Sequence, residues 1–376
     1  MPIIEFPKKS LHDRPAHHPT AIVYCEKNFS RIDGKTANGL VRYSERYKIL
    51  SVIDSDKVGL DSGEVLDDIT NNIPIYGDLE DAITHAGAVP DYLIYGMAPI
   101  SGMLSASERV VMLKAIGLGM NIVNGLHEFL NDDPEFSAAS KKHNVIILDI
   151  RRPRPKKDLH VFTGRINEVT CPRIAVLGTD CAIGKRTTAT ILTKALKDCG
   201  IKAVMVGTGQ TGLIQGARYG IALDSIASNF CAGEVEAEVV RAFENEKPDV
   251  IIIEGQSALG HPAFSSSAFI LRGSCPNGVV LQHAPKRKHR CDFEQMPMPK
   301  PAEEIKLIET FSDTKVIGLT INHEFMSDVE IDDSIRHFEG ELKIPATDAL
   351  TRSPTRLVEM VLSAFPELKK NLPVAI

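Results

Sequence analysis

The run "RIAVLGTDCAIGKRTTATILTKAL", residues 173–196, leaves this chain few folds to choose from. It opens as an apolar strand and closes as a helical pattern, and between them Gly178 and Gly184 bracket five residues ahead of Lys185. Strand, glycine-bounded loop and helix in that order is the arrangement of a phosphate loop. Such a loop needs glycine where backbone approaches oxygen, inward-pointing amides, and the positive end of a helix dipole behind them. Lys185 then supplies a point charge to a bridging or terminal phosphate. The expected phosphate-binding residues are Gly178, Thr179, Asp180, Cys181, Ala182, Ile183, Gly184, Lys185, Arg186, Thr187 and Thr188.

The loop departs from the common form in two respects. It is one residue longer, and Arg186 follows the lysine where an ATPase carries a metal-binding Ser or Thr. Dethiobiotin-synthetase-like loops have similar spacing, GTD followed by GKT, but keep that hydroxyl. Here Thr187 and Thr188 are displaced along the helix, and each step turns a side chain by about 100°. Mg²⁺ binding, and with it nucleotide cleavage, is left open. A loop that grips phosphates without cleaving them suits coenzyme A, and Arg186 adds charge for that purpose.

The length of 376 residues favours two domains. Apolar runs at 20–25, 48–54, 91–96, 120–125 and 144–150 read as buried strands. Helical patterns at 35–47, 77–87, 105–119 and 132–143 separate them, with Asp78, Ser105 and Asp132 placed as N-caps. This alternation predicts a parallel sheet covered on both faces. No GxGxxG follows the first strand, so a dinucleotide site is not expected. The rhythm restarts after 172, with strands at 173–178, 202–207, 249–255, 278–283 and 315–322. The fold class expected is α/β, with two doubly wound parallel-sheet domains: Rossmann-like over 1–155 and P-loop NTPase-like over 172–376. The Pro-rich, basic segment between, 156–171, reads as a solvated linker, with an anionic ligand beneath it as the alternative.

The net charge of −6 gives no general attraction to nucleic acid or an anionic membrane. No signal peptide is expected in "MPIIEFPKKSLHDRPAHHPT", nor a membrane-spanning run anywhere. The seven cysteines form no CxxC pair, which points to a reduced, cytoplasmic setting. A small-molecule substrate and a homo-oligomer are the expected partners. No resident metal is expected; Mg²⁺ enters only if the ligand is ATP.

Further candidates follow strand ends, where open α/β sheets bind ligands. Glu254, at the tip of "DVIIIEG", offers a metal ligand or a general base. His261 and His283 are alternative bases. Ser257 lies in GQSALG rather than GxSxG, which removes a serine-hydrolase reading. The segment 206–226 carries five glycines between 207 and 220 and reads as a loop closing over a ligand, with Gln210, Thr211 and Arg218 as polar contacts. Arg287 is a candidate for a substrate carboxylate. Glu234 and Glu236 read as first-turn acids that complement a helix dipole.

"GKTANGLVRY" (34–43), "GLHEFLNDDPEF" (125–136), "LDIRRPRP" (148–155), "GTDCAIGKRTT" (178–188), "GTGQTGLIQGARYGIALDSI" (207–226) and "EGQSALGHPAF" (254–264) together carry a resemblance. The chain resembles a bacterial two-domain family, long catalogued as of unknown function, that pairs a Rossmann-like domain with a P-loop domain. Some members are D-glutamate N-acetyltransferases of D-amino-acid catabolism. The resemblance implies acetyl-CoA as acetyl donor, held by the phosphate loop, and Glu254 or His261 as base. Lys35, Arg42, Arg218 and Arg287 are then the candidate cations for glutamate's two carboxylates. Asn229 stands in "SNF", where the family pattern leads one to expect Asp. The alternatives are an ATP- and Mg²⁺-dependent carboxylate–amine ligase or small-molecule kinase, with Thr187 or Thr188 as metal ligand, and a non-catalytic nucleotide sensor.

Overall fold

The structure, a computed structural model, describes residues 18–371; the reading of the first seventeen residues lies outside them. The chain divides into two compact units, one running to Asp158 and including Leu213–Gly216, the other holding the rest.

In the first unit the strands are β1 (Thr20–Tyr24), β2 (Lys48–Ile53), β3 (Ile75–Tyr76), β4 (Tyr92–Tyr95), β5 (Asn121–Asn124) and β6 (Ile147–Asp149). The helices are α1 (Lys35–Arg42), α2 (Ser62–Asp67), α3 (Leu79–Ala86), α4 (Ala106–Gly117) and α5 (Pro134–His143). The sheet order is β3-β2-β1-β4-β5-β6, and every pairing is parallel. Local chemistry sets the helix ends. Asp78 caps α3, and Ser105 with Glu108 forms a capping box on α4. Asp133, not Asp132, caps α5, because Pro134 takes the first helical position. The strands β3 and the helix α2 were not expected: β3 is two residues long, too short to leave a periodic signal.

The second unit contains β7 (Arg173–Gly178), β8 (Ala203–Gly207), β9 (Tyr219–Gly220), β10 (Val250–Glu254), β11 (Gly278–His283), the hairpin β12 (His289–Arg290) and β13 (Phe293–Pro297), β14 (Lys315–Ile321) and β15 (Ala346–Asp348). Its helices are α6 (Lys185–Asp198), α8 (Ser228–Glu246), α9 (Ser266–Ser274), α10 (Pro301–Phe311), α11 (Asp328–Leu342) and α12 (Thr355–Ala364), with α7 (Gln210–Gln215) divided between the units at Leu213. The seven-stranded sheet runs β15-β14-β11-β7-β10-β8-β9, again with parallel pairings. Its strands are apolar on both faces, as burial between two helical layers requires. On β7, Ala175 and Leu177 join one core with Val235 and Val239 of α8, while Ile174 and Val176 join another with Leu192 of α6 and Leu357 of α12. The phosphate-loop strand β7 thus lies at the centre of the sheet, between β10 and β11.

The expected linker does not run free in solvent. From Leu159 onward the chain belongs to the second unit. Glu234 accepts from the His160 backbone N–H (2.7 Å), and Glu236 from Thr163 N (2.6 Å) and Ile166 N (3.1 Å). The two acids are not in a first turn, because α8 starts at Ser228. They are buried anchors for this segment, and Gly233 leaves room for the backbone of 160–162 to press against the helix.

Candidate functional site

The carboxyl ends of β7, β8, β10, β11, β14 and β15 make one rim of the second unit, and the phosphate loop sits at its middle. Gly178 ends β7, where a Cβ would strike Ile183, Lys185 and the Gln282 carbonyl. Ala182 and Gly184 have positive φ (48° and 103°), the backbone turns that point successive amides inward. Gly184 offers no side chain to cap α6, a helix start of the kind that binds anions. Lys185 is buried, its ammonium donating to the Asp180 carbonyl within the loop.

The two threonines after Arg186 go elsewhere. Thr188 Oγ1 donates to Gln282 Oε1 at 2.6 Å, beneath the loop. Thr187 lines a cavity with Asn322 and Asp348. Arg186 is the residue whose positive charge acts on Glu254. Glu254 is 4% exposed at the tip of β10, its Oε2 accepting from Thr208 N (2.9 Å) and Gly209 N (3.4 Å). Burial raises its pKa above the ordinary carboxyl range, against the opposing pull of Arg186, those two amides and Lys185. A buried carboxyl with a raised pKa beside two cations can take a proton from a nearby amine.

The two candidate histidines are buried beside the loop. His261 Nδ1 accepts from Ala263 N at 3.2 Å, which leaves the proton of the neutral ring on Nε2, 3.6 Å from Asp180 Oδ1. Its ring is buried and its pKa is lowered, chiefly by desolvation. His283 is buried, bonded through Nδ1 to Thr179 Oγ1 at 2.9 Å, and burial pushes its pKa down to about 4. Desolvation favours the neutral form of both rings, the form in which an imidazole can accept a proton.

Arg287 is beside the loop but already engaged. Its Nη1 donates to the Cys181 carbonyl (2.9 Å) and its Nη2 to that of Ala182 (3.2 Å), while Glu324 takes Nε at 2.8 Å. Arg290 reaches the Thr179 carbonyl at 3.3 Å. Asp180 completes the clamp, accepting from Cys291 N at 2.6 Å. Among the described residues, Asp180, Cys181 and His261 have ligand atoms within 4.8 Å of one another. The proton on His261 Nε2 and the guanidinium of Arg287, 3.5 Å from Asp180, both oppose a cation there.

Two of the expected substrate cations are already paired within their own units. Arg42 forms a two-pronged pair with Asp67 in its own unit (Nε–Oδ2 2.8 Å). Arg218 pairs with Glu246 at 2.5 Å, and Glu246, at the C-terminus of α8, also takes the ammonium of Lys202 ahead of β8; this is the amino edge of the sheet, away from the loop. Lys35 opens α1 in the first unit and is exposed. Gln210 and Thr211 are buried at the start of α7, a short helix within the segment expected to be a loop closing over a ligand. Sequence reasoning missed Gln282, whose Oε1 also receives Thr320, and Glu304 of α10, which accepts from Leu259 N at 2.5 Å. A polar residue one before the end of an apolar strand was the available signal for Gln282; none marks Glu304.

Two doubly wound parallel-sheet domains, one carrying a phosphate loop at its central strand, define the class: a Rossmann-like plus P-loop α/β protein. Residues 160–358 match the P-loop domain, and 55–153 the Rossmann-like domain, of a family described as a domain of unknown function (DUF1611). The chain belongs to that family. The crystal structure of a DUF1611 family protein from Anabaena variabilis ATCC 29413 is similar, with a TM-score of 0.85 and 30% identity, covering 92% of this chain and all of that one. A D-glutamate N-acetyltransferase of Pseudoalteromonas sp is 33% identical over 264 residues, 68% of this chain and 77% of that one. Another, from Tritonibacter scottomollicae, is 28% identical over 275 residues, 71% and 80% of the two chains. No helix among the described residues is long and apolar enough to cross a membrane.

Proposed function

We propose that the protein is an N-acetyltransferase that moves the acetyl group of acetyl-CoA to the amine of D-glutamate, in D-amino-acid catabolism. The observation that carries this reading is the placing of the three residues after Lys185: Arg186 acts on Glu254, Thr187 lines the cavity on another side, and Thr188 is tied to Gln282. The positive charge of Arg186 thus favours the ionised form of the Walker-B-like carboxylate Glu254. That arrangement supports a loop that grips phosphates and leaves them intact. The names of the two relatives supply the acetyl group and the acceptor.

The loop amides, Lys185 and Arg186 hold the donor's phosphates. Glu254 takes a proton from the glutamate ammonium. The freed amine forms its C–N bond to the thioester carbonyl carbon, backbone amides near Gly212 and Gly255 hold the oxyanion, and the C–S bond breaks. The nitrogen's second proton passes to the departing sulfur and the one held by Glu254 goes to solvent, giving free thiol and N-acetylglutamate. The test is thiol release from acetyl-CoA without Mg²⁺, with D-glutamate as acceptor and L-glutamate as control. ADP formation from ATP, Mg²⁺ and a carboxylate, with no thiol release, would overturn the reading.

A further inference from the structure

Ser257 is strained and unsatisfied at once. Its φ is +55°, in the left-handed region that a residue with a side chain enters at a cost. It is 7% exposed, and its Oγ has no hydrogen-bond partner among the described residues. A buried hydroxyl without a partner destabilises the fold that holds it. Both burdens fall on one residue, three after Glu254.

The chain on either side of Ser257 is pinned, so neither burden is relieved by a shift. Gln256 Nε2 donates to the Thr208 carbonyl (2.8 Å), and Ser267 Oγ to the Gln256 carbonyl (2.6 Å). His261 N donates to the Ala258 carbonyl (3.2 Å), and Glu304 accepts from Leu259 N (2.5 Å). At Gly255 a Cβ would overlap the Val176 carbonyl of β7. A left-handed residue over-determined by its neighbours is the kind that gathers at active sites.

The charge around it selects the partner. Lys185 acts on Glu254 at the start of the segment, on Glu304 that holds its middle, and on His261 at its end. Three residues span at most about 11 Å, so the Ser257 Cα lies within that distance of the Glu254 Cα. A hydroxyl donor in the field of an ammonium suits an oxygen that bears negative charge. The donor's phosphates already have the loop amides, Lys185 and Arg186. The thioester oxygen has the greater need, because it becomes negative as the amine adds, next to the base that frees the amine.

We propose that Ser257 is a catalytic residue whose hydroxyl donates to the oxyanion formed as the amine adds to the thioester carbonyl. The hydroxyl keeps its proton while the C–N bond forms and the C–S bond breaks, so Ser257 ends the cycle unchanged. This rests on the acetyl-CoA reading above and adds a side-chain donor to the backbone amides near Gly212 and Gly255.

The experiment is steady-state acetyl transfer by the full chain carrying Ser257→Ala or Ser257→Gly, with coenzyme A binding measured by calorimetry. Glycine adopts positive φ without strain, so Ser257→Gly keeps the fold even where alanine does not. Both variants are expected to lower kcat about 100-fold or more, the loss for one oxyanion donor, and to hold KM for acetyl-CoA and coenzyme A affinity within about two-fold of wild type. A variant that turns over at the wild-type rate, or that loses donor affinity rather than kcat, overturns the role and leaves the acetyltransferase reading standing. An acetylated Ser257 peptide after acid quench overturns it too, by making the oxygen a nucleophile. A wild type that releases no thiol from acetyl-CoA overturns the reading and the role together.

Discussion

Gly212 lies against the carboxylate of Glu254 so closely that a methyl group at 212 would overlap Oε2. The glycine at the head of α7 is thus the wall of the site, and its missing side chain sets where the carboxylate rests. Gly212→Ala is expected to leave the fold intact but to lower kcat/KM roughly 100-fold or more, the usual worth of a well-placed base. Steady-state kinetics alongside thermal unfolding checks this: a variant with normal Tm and near-normal rate would remove Glu254 from the reaction.

Burial raises the Glu254 pKa above its ordinary 4.5. The unfolded chain therefore releases this proton first as pH rises, so the group opposes folding above its ordinary pKa and is neutral to stability below it. Glu254→Gln is expected to abolish turnover and yet raise Tm at neutral pH, with the gain disappearing toward pH 4. In the wild type, kcat/KM rises with pH through the elevated pKa as the base loses its proton. A Tm unchanged by Glu254→Gln at pH 7 contradicts the burial account.

Arg186→Ser restores the residue that an ATPase carries at this place. It is expected to weaken coenzyme A binding about 10- to 100-fold, the range for a lost charge-assisted contact. Wild-type turnover is expected to survive EDTA, and Thr187→Ala to keep most of it. Calorimetry with coenzyme A and assays with chelator check both.

His283 stays neutral in the native state because burial lowers its pKa from 6.5 to about 4. Below about 6.5 the unfolded chain takes up a proton that the folded one refuses, so stability falls as pH drops through that window, by about 3 kcal/mol in all. His283→Gln, which can still accept from Thr179, is expected to flatten this acid slope. Urea unfolding between pH 7 and 4 measures it.

Arg287 holds the Cys181 and Ala182 carbonyls with separate nitrogens of one fork. Lysine has no such fork. Arg287→Lys is therefore expected to raise KM for the donor about ten-fold through a loosened loop, with a smaller change in kcat. A kcat loss at constant KM would mean that Arg287 meets the reacting groups instead.

Much of this was legible in the chain because its signals are local. The β7–loop–α6 unit, the Glu254 strand tip and both alternating sheets rest on runs of neighbours. What stayed hidden depends on residues far apart in sequence. Nothing near His261 announces that Asp180 faces it across 3.6 Å, and nothing near Arg218 announces Glu246. Counting cations identified candidates for glutamate's carboxylates; only the fold revealed that Arg42, Arg218 and Arg287 already have acceptors. The short helix α7 was masked by Gly212 within it and by Gly209 and Gly216 beside it; glycine normally weakens helices, and here Gly212 admits the Glu254 carboxylate.

The charge of Arg186 is delivered by translation rather than by diffusion. A metal-dependent loop is filled only to the extent that free magnesium allows, and its affinity for a polyphosphate tracks the ionic state of its surroundings. A guanidinium carried on α6 is present once per chain at every metal concentration, with a proton it does not lose at physiological pH. Saturation of such a loop is a function of one concentration, that of the ligand itself.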